Sequence, residues 1–449
     1  MPLTNFKQMS AQLKAFRCSF LDFVDDPFYV SELESVRYIV DGLLVIENGL
    51  VKELGDYESL QAKYVGIEIT SYPGMLIMPG FIDTHVHFPQ TEAIASYGEQ
   101  LLEWLHKYIF PTERKFQEFA YAQKVAAIFL DELLKNGTTT ALVFAAVYPE
   151  SVEAFFTEAH RRNLRAIAGK VMMDRNAPDY LVDTPETSYQ QSKQLIEKWH
   201  KNGRLLYAVT PRFAITSSAE QLSVASRLLD EFPDVYLHTH LSENVDEIAF
   251  VKQLFPENEG YLDVYDRAGL VTNRSIFAHG VYLTDAEFAR LSEAESAIAF
   301  CPTSNLFLGS GLFKIEQAKS KEHPVKLGLG TDIGAGTSFS LLQTAGEAYK
   351  VAQLRKQKLS PFQALFLATL GGARALGLED KIGNFETGKE ADFIVIDPEC
   401  TELLAFRNSE ATTTLKELAA KVFTLMIVGS DRTICATYIL GNLAYERPN

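Results

Sequence analysis

The sequence predicts an α/β protein: a (β/α)8 TIM-type barrel carrying a small β-sandwich-like domain built from both chain ends. Three observations predict it. Eight strand candidates alternate with helix candidates through the middle of the chain. Polar residues able to carry chemistry fall where those strands end. Both chain ends are instead rich in short strands separated by turn residues. The expected division is a composite β-domain over 1–76 and 379–449 and a catalytic barrel over 77–378.

In chain order, 36–40 and 43–46 read as short strands, and Asn48-Gly49 supplies a two-residue hairpin turn before Val51. After the Pro73-Gly74 turn, the apolar residues 76–78 and 81–82 read as a buried strand. The barrel strand candidates are 81–87, 138–146, 164–173, 205–213, 235–242, 275–280, 296–305 and 325–332. Helical stretches 116–135, 152–162, 187–200, 219–232, 245–254 and 285–293 fall between them. At the C-terminal end, 391–397, 425–428 and 437–440 read as strands that complete the β-domain.

A chain of 449 residues that is 47% apolar has ample material for a core. Its 42 basic and 58 acidic residues give a net charge of −16, which argues against non-specific binding to nucleic acid or to an anionic membrane but leaves small uncharged ligands open. Cys18, Cys301, Cys400 and Cys435 form no Cys-x-x-Cys pair and read as free thiols in a reducing compartment. The N-terminus shows no signal peptide, and no stretch approaches the roughly 20 apolar residues that span a bilayer. A cytoplasmic enzyme is expected.

His85 and His87 stand two apart at the end of the first barrel strand, so both imidazoles point to one side. His-x-His alone is weak. It gains force because His240 lies near the end of the fifth strand, His279 ends the sixth and Asp332 ends the eighth, while Arg212 ends the fourth. A barrel collects such residues on one rim. Imidazoles with a carboxylate suit Zn²⁺ or Fe²⁺ with water completing the shell, and such a site lowers the pKa of water from about 15.7 toward about 7. Glu243, three residues beyond His240, is placed to carry a proton, and His279 to assist. Metal-assisted hydrolysis of a carbon–nitrogen or similar bond follows.

These segments resemble the guanine deaminases of the amidohydrolase superfamily. The matching text runs from Pro79 to Gln90 (Pro-Gly-Phe-Ile-Asp-Thr-His-Val-His-Phe-Pro-Gln) and from Tyr97 to Glu113 (with Leu-Leu-Glu-Trp-Leu and Phe-Pro). It continues at Thr210–Phe213, His238–Asn244, Ala278–Gly280, Cys301–Asn305 and Gly328–Asp332. His-x-His, His240, His279 and Asp332 mark the superfamily. Gln90, the Trp104 stretch and Pro-Arg-Phe point to guanine. The resemblance implies one Zn²⁺ per chain, Fe²⁺ being the alternative, held by His85, His87, His240 and Asp332. Glu243 would move a proton from water to a ring nitrogen, Asp332 would pass one to the leaving amine, and His279 would stabilise the tetrahedral centre. Gln90 and Arg212 would bind the base edge, and Phe213 would line the pocket. It further implies a homodimer with guanine and water as its small-molecule partners. The His-x-Glu and Pro-Cys-x-x-Cys signature of other nucleobase deaminases is missing from this chain.

Plainer readings stand beside these. His106, His160, His200 and His323 read as structural. His238 shares the parity of His240 one layer lower in the barrel, and packing or support of a ligand ring is favoured over ligation. Asp332 has a helix N-cap as its alternative, Arg212 a surface ion pair, and Glu243 a place in an acidic helix start with Asp246 and Glu247. The Trp104 segment reads equally as a pocket wall or as core. Rival functions are a deaminase or chlorohydrolase acting on a triazine, a pterin or another purine, and a barrel that has lost its chemistry.

Overall fold

The computed structural model describes residues 13–448; the expectation about the extreme N-terminus falls largely outside them. Among the described residues four strands precede the barrel: β1 (Leu13–Phe23), β2 (Val36–Glu47), β3 (Leu50–Asp56) and β4 (Ile69–Pro79). The turn between β2 and β3 is Asn48-Gly49, with φ of 53° and 85°. Positive φ at both central residues is what a type I′ turn demands and what Asn-Gly supplies at little cost.

The barrel strands follow: β5 (Phe81–His87), β6 (Thr138–Phe144), β7 (Arg165–Gly169), the two-residue β8 (Val171–Met172), β9 (Leu205–Pro211), β10 (Tyr236–Leu241), β11 (Ser275–His279), β12 (Ala297–Phe300) and β13 (Lys326–Leu329). Their order is β5-β6-β7-β9-β10-β11-β12-β13, all parallel, with β8 beside β9. At the C-terminal rim, Asp332 N–H donates to the carbonyl of His85 and His87 N–H to that of Ile333, both at 2.9 Å, drawing the last strand's exit onto the first. Every residue of β5, β6 and β7 is buried, as expected for strands covered on both faces. Helices Phe119–Lys135, Pro149–Arg161, Pro185–Trp199, Ala219–Glu231, Val245–Leu254 and Asp285–Glu293 fall where the sequence places them.

Several boundaries differ for identifiable reasons. The seventh barrel strand stops at Phe300 because Pro302 opens a short helix, Pro302–Phe307. The eighth stops at Leu329, so Asp332 lies three residues beyond it. The third is interrupted after Gly169.

β14 (Phe393–Ile396), β15 (Ile434–Ile439) and β16 (Asn442–Glu446) join the first four strands in one seven-stranded sheet, β16-β15-β14-β4-β1-β2-β3. Along β14, Phe393 and Val395 join an apolar cluster with Phe16, Phe20, Leu44 and Tyr438, while Ile394 and Ile396 pack into the main core. The two-residue period thus sends alternate side chains to two cores. Residues 425–428, expected as a strand, instead end the helix Leu415–Val428. Among the described residues no helix is long and apolar enough to cross a membrane, and all four cysteines are free.

Candidate metal and catalytic centre

The rim gathers the strand-end residues. His85 and His87 leave β5, His240 leaves β10, His279 ends β11, and Asp332 is carried in by the turn after β13. Three residues at these exits, Ser242, His279 and Asp332, hold positive φ of 49°, 76° and 52°, a costly conformation away from glycine that concentrates at working sites.

The donor atoms converge. His85 Nε2 lies 3.2 Å from His87 Nε2, which lies 3.2 Å from His240 Nε2. Asp332 Oδ1 is 3.1 Å from His85 Nε2 and 3.3 Å from His87 Nε2. With metal–ligand bonds of about 2.0–2.1 Å, the edge of a coordination tetrahedron is about 3.3 Å. Nitrogens packed this closely, in a fully buried setting, therefore fit one divalent ion. The far sides of the rings agree. His240 Nδ1 donates to the carbonyl of Arg212 at 2.7 Å, which leaves its Nε2 lone pair facing the centre. His85 Nδ1 is 2.7 Å from His238 Nε2, so His238 touches a ring that faces the centre and stays outside the cluster of donor atoms. His87 Nδ1 is buried with no hydrogen-bond partner.

Electrostatics support the same set. Burial, together with the neighbouring rings, pushes His87 down to about 3 and holds His240 well below the ordinary histidine value, and a metal ligand must be a neutral imidazole. Burial opposes ionisation of Asp332, but the attraction and hydrogen bonding of His85 and His87 outweigh it and hold the carboxyl well below the usual range. Cys301 lies within 4.8 Å of donor atoms of His85, His279 and Asp332. Burial, then the charges of Asp332 and Asp83, raise its thiol well above the ordinary value, which keeps it protonated and a poor ligand.

Glu243 is buried beside this cluster. Burial first, then the charges of Asp332 and Glu247, push its carboxyl well above the usual range, the direction that suits a carboxyl exchanging protons with a substrate. Its Oε1 accepts from Ser310 Oγ at 3.2 Å, and its Oε2 is 3.5 Å from His279 Nε2. His279 Nε2 also stands 3.8 Å from Asp332 Oδ2 and has no partner of its own. Its Nδ1 faces Asn305 Nδ2 at 2.9 Å. The loop bearing Glu243 is pinned by Glu247, whose Oε2 accepts the backbone N–H of Glu243 at 2.7 Å and of Asn244 at 3.1 Å.

A small cavity opens onto the cluster. Leu101, Trp104 and Leu105 form one wall, so the Trp104 segment is both pocket wall and core. Gln90, Arg212 and Phe213 all line the cavity. Arg212 is indeed in an ion pair, but a buried one: its Nη1 donates to both carboxylate oxygens of Glu113, at 2.8 and 2.9 Å. Glu113, Ser310 and Asn305 are contacts that sequence reasoning did not assign. Glu113 and Asn305 sit inside motifs that stand out in the sequence, yet no spacing marks an acid 99 residues before its arginine. His106 packs edge-on to Phe110, and His160 lies near Trp199.

Comparison with known proteins finds relatives along nearly the whole chain. The Amidohydrolase family profile matches residues 76–443. The chain is 55% identical over 439 residues to a guanine deaminase of Escherichia coli (strain K12), covering 97% of this chain and 98% of that one. A crystal structure of guanine deaminase from Bradyrhizobium japonicum superposes with a TM-score of 0.94 at 42% identity, over 97% of this chain and all of that one. A guanine deaminase from C. acetobutylicum, solved with guanine bound in its active site, gives a TM-score of 0.87 at 29% identity over the same shares. The chain belongs to the amidohydrolase family, and within it to the guanine deaminases.

Proposed function

We propose that the protein hydrolyses guanine to xanthine and ammonia with the aid of one divalent metal held by His85, His87, His240 and Asp332. The observation that carries the reading is the convergence of His85, His87, His240 and Asp332, linked donor to donor at 3.1–3.3 Å, beside the buried Glu243, in a chain matched along 97% of its length by a guanine deaminase. Zinc suits imidazole and carboxylate donors at these distances, and Fe²⁺ is the alternative. When bound, the metal supplies Lewis acidity and brings the pKa of water toward about 7.

The chain's own groups handle protons and orientation. The reaction adds the oxygen of one water at C2 and expels the 2-amino group. Glu243 takes a proton from the water and hands it to the adjoining ring nitrogen. Asp332 passes the second water proton to the departing amine, so ammonia leaves and the lactam of xanthine remains. His279 sits between these two carboxyls, 3.5 Å from one and 3.8 Å from the other. Burial pushes it down to about 3, so it meets the tetrahedral centre as a neutral ring. Arg212 and Gln90 address the base edge, the guanidinium fork matching the acceptors O6 and N7, and the Phe213 ring lines the pocket. We include in this proposal a cytoplasmic location, favoured by the four free thiols, and a homodimer, carried by the family resemblance.

The test is turnover by purified, metal-loaded protein with xanthine and ammonia both quantified, and with adenine, cytosine and a triazine alongside. Stoichiometric products from guanine alone are expected. Turnover of the triazine or adenine in preference to guanine would overturn the substrate.

A further inference from the structure

We infer that Glu113 is a positioning residue that sets ligand selectivity by fixing and neutralising the groups that read the base edge. This rests on the reading of Arg212 and Gln90 as substrate-binding residues. Glu113 touches none of the proposed metal ligands. It comes from the segment after β5, is fully buried, and spends its carboxylate on the two cavity-lining side chains.

The contacts are specific. Arg212 Nη1 donates to both oxygens of Glu113, at 2.8 and 2.9 Å, and Gln90 Nε2 donates to Oε1 at 3.3 Å. Gln90 Oε1 in turn accepts the backbone N–H of Gly334 at 3.2 Å. The amide is thereby fixed with its nitrogen toward Glu113 and its oxygen toward Gly334. Among the described residues, Arg212 Nε and Nη2 meet no protein acceptor, and Arg212 lines the cavity. The remaining donors of the fork and the second N–H of Gln90 are therefore left for a ligand. The guanidinium carbon also stands 5.5 Å from the centre of the Phe110 ring, which further limits its freedom.

Charge is the second half of the argument. A lone buried guanidinium would favour anions, whereas one paired to a buried carboxylate offers donors without net charge. Glu113 thus tunes the pocket to a neutral ring bearing acceptors, such as an oxo group beside a ring nitrogen, and against anionic ligands of the same shape.

The experiment compares wild-type protein with Glu113→Gln and Glu113→Asp, measuring kcat and KM for guanine, the inhibition constant of urate (a purine that is an anion at neutral pH), metal content and Tm. For Glu113→Gln we expect KM to rise about tenfold, the scale of one hydrogen bond to a charged donor. We expect kcat to change less than threefold, metal content to hold, and urate to bind more tightly. For Glu113→Asp, which keeps the charge but shortens the reach, KM should rise without a gain in urate binding. If Glu113→Gln yields no folded protein, the aspartate variant decides: raised KM with full metal content supports the inference, and wild-type KM overturns it. Equal weakening of guanine and urate, or a fall in kcat with loss of metal, also overturns it, since either means general damage. Absence of guanine turnover in the wild-type protein would sink the functional reading itself, a distinct outcome.

Discussion

Asp332 and Glu243 are two carboxyls in one buried centre whose surroundings push their proton affinities in opposite directions. The histidines around Asp332 favour its ionised form, and burial with negative neighbours disfavours ionisation of Glu243. Opposed environments of this kind assign different roles to like groups. Glu243→Gln preserves the shape and an acceptor for the Ser310 hydroxyl, so metal content should stay at the wild-type level while kcat falls by about 100- to 10,000-fold. Asp332→Ala removes a donor, so metal analysis and kcat should both collapse. Glu243→Gln protein that had lost its metal, or that turned over at near wild-type rate, would refute the division of labour. The residues legible in the sequence are those whose chemistry is tied to a strand end, namely His85, His87, His240, His279 and Asp332. Glu113 and Ser310 were not legible, because each reaches its partner across 99 or 67 residues of intervening chain. The side of His238 was readable from its parity with His240, but its 2.7 Å contact with His85 Nδ1 was not.

At the scale of elements, the alternation of strand and helix was readable because parallel strands buried on both faces are continuous apolar runs, distinct from the 3.6-residue period of the helices. The stretch Leu425-Met426-Ile427-Val428 misled for the same reason. A short apolar run does not reveal its own period. The information lay upstream, where Thr414 accepts from the backbone N–H of Glu417 and Leu418, Val422 and Leu425 recur on one buried face. Close backbone approach is another feature hidden from pattern. A Cβ on Gly169, at the end of β7, would lie 1.7 Å from the carbonyl oxygen of Ala208 on β9. Backbone cannot step aside as a flexible side chain can. Gly169→Ala should therefore push β7 from β9 and cost about 1–3 kcal/mol or more, seen as a lowered midpoint in denaturant unfolding. A midpoint equal to wild type would show that the two strands can part without loss.

At the scale of the whole molecule, the sheet made from both chain ends is locked to the base of the barrel by an ion cluster. Arg165, at the start of β7, and Arg204, just before β9, both engage Glu390, through Arg165 Nε at 2.8 Å and Arg204 Nη2 at 2.6 Å. Arg204 also bonds Asp392, whose backbone carbonyl accepts the N–H of Gly80 at 3.0 Å between β4 and β5. The chain thus leaves the terminal sheet, builds the barrel and returns to the same corner, and four charged side chains hold that corner shut. Burial alone would raise Glu390, but hydrogen bonding and attraction from Arg165 and Arg204 more than offset it and lower its pKa in the folded state. A carboxylate lowered on folding binds fewer protons folded than unfolded. Its stabilisation is therefore complete above the unfolded value of about 4.5 and is lost as pH falls through the folded value. Glu390→Gln should cost about 3 kcal/mol at neutral pH, because it leaves two buried guanidinium groups with only Asp392 between them. The variant should also lose part of the acid-side slope, so that its unfolding free energy, followed from pH 7 down to pH 3, converges toward wild type as the pH drops. A difference that stayed constant across that range would mean that Glu390 acts by packing and that the corner is held by something other than its charge.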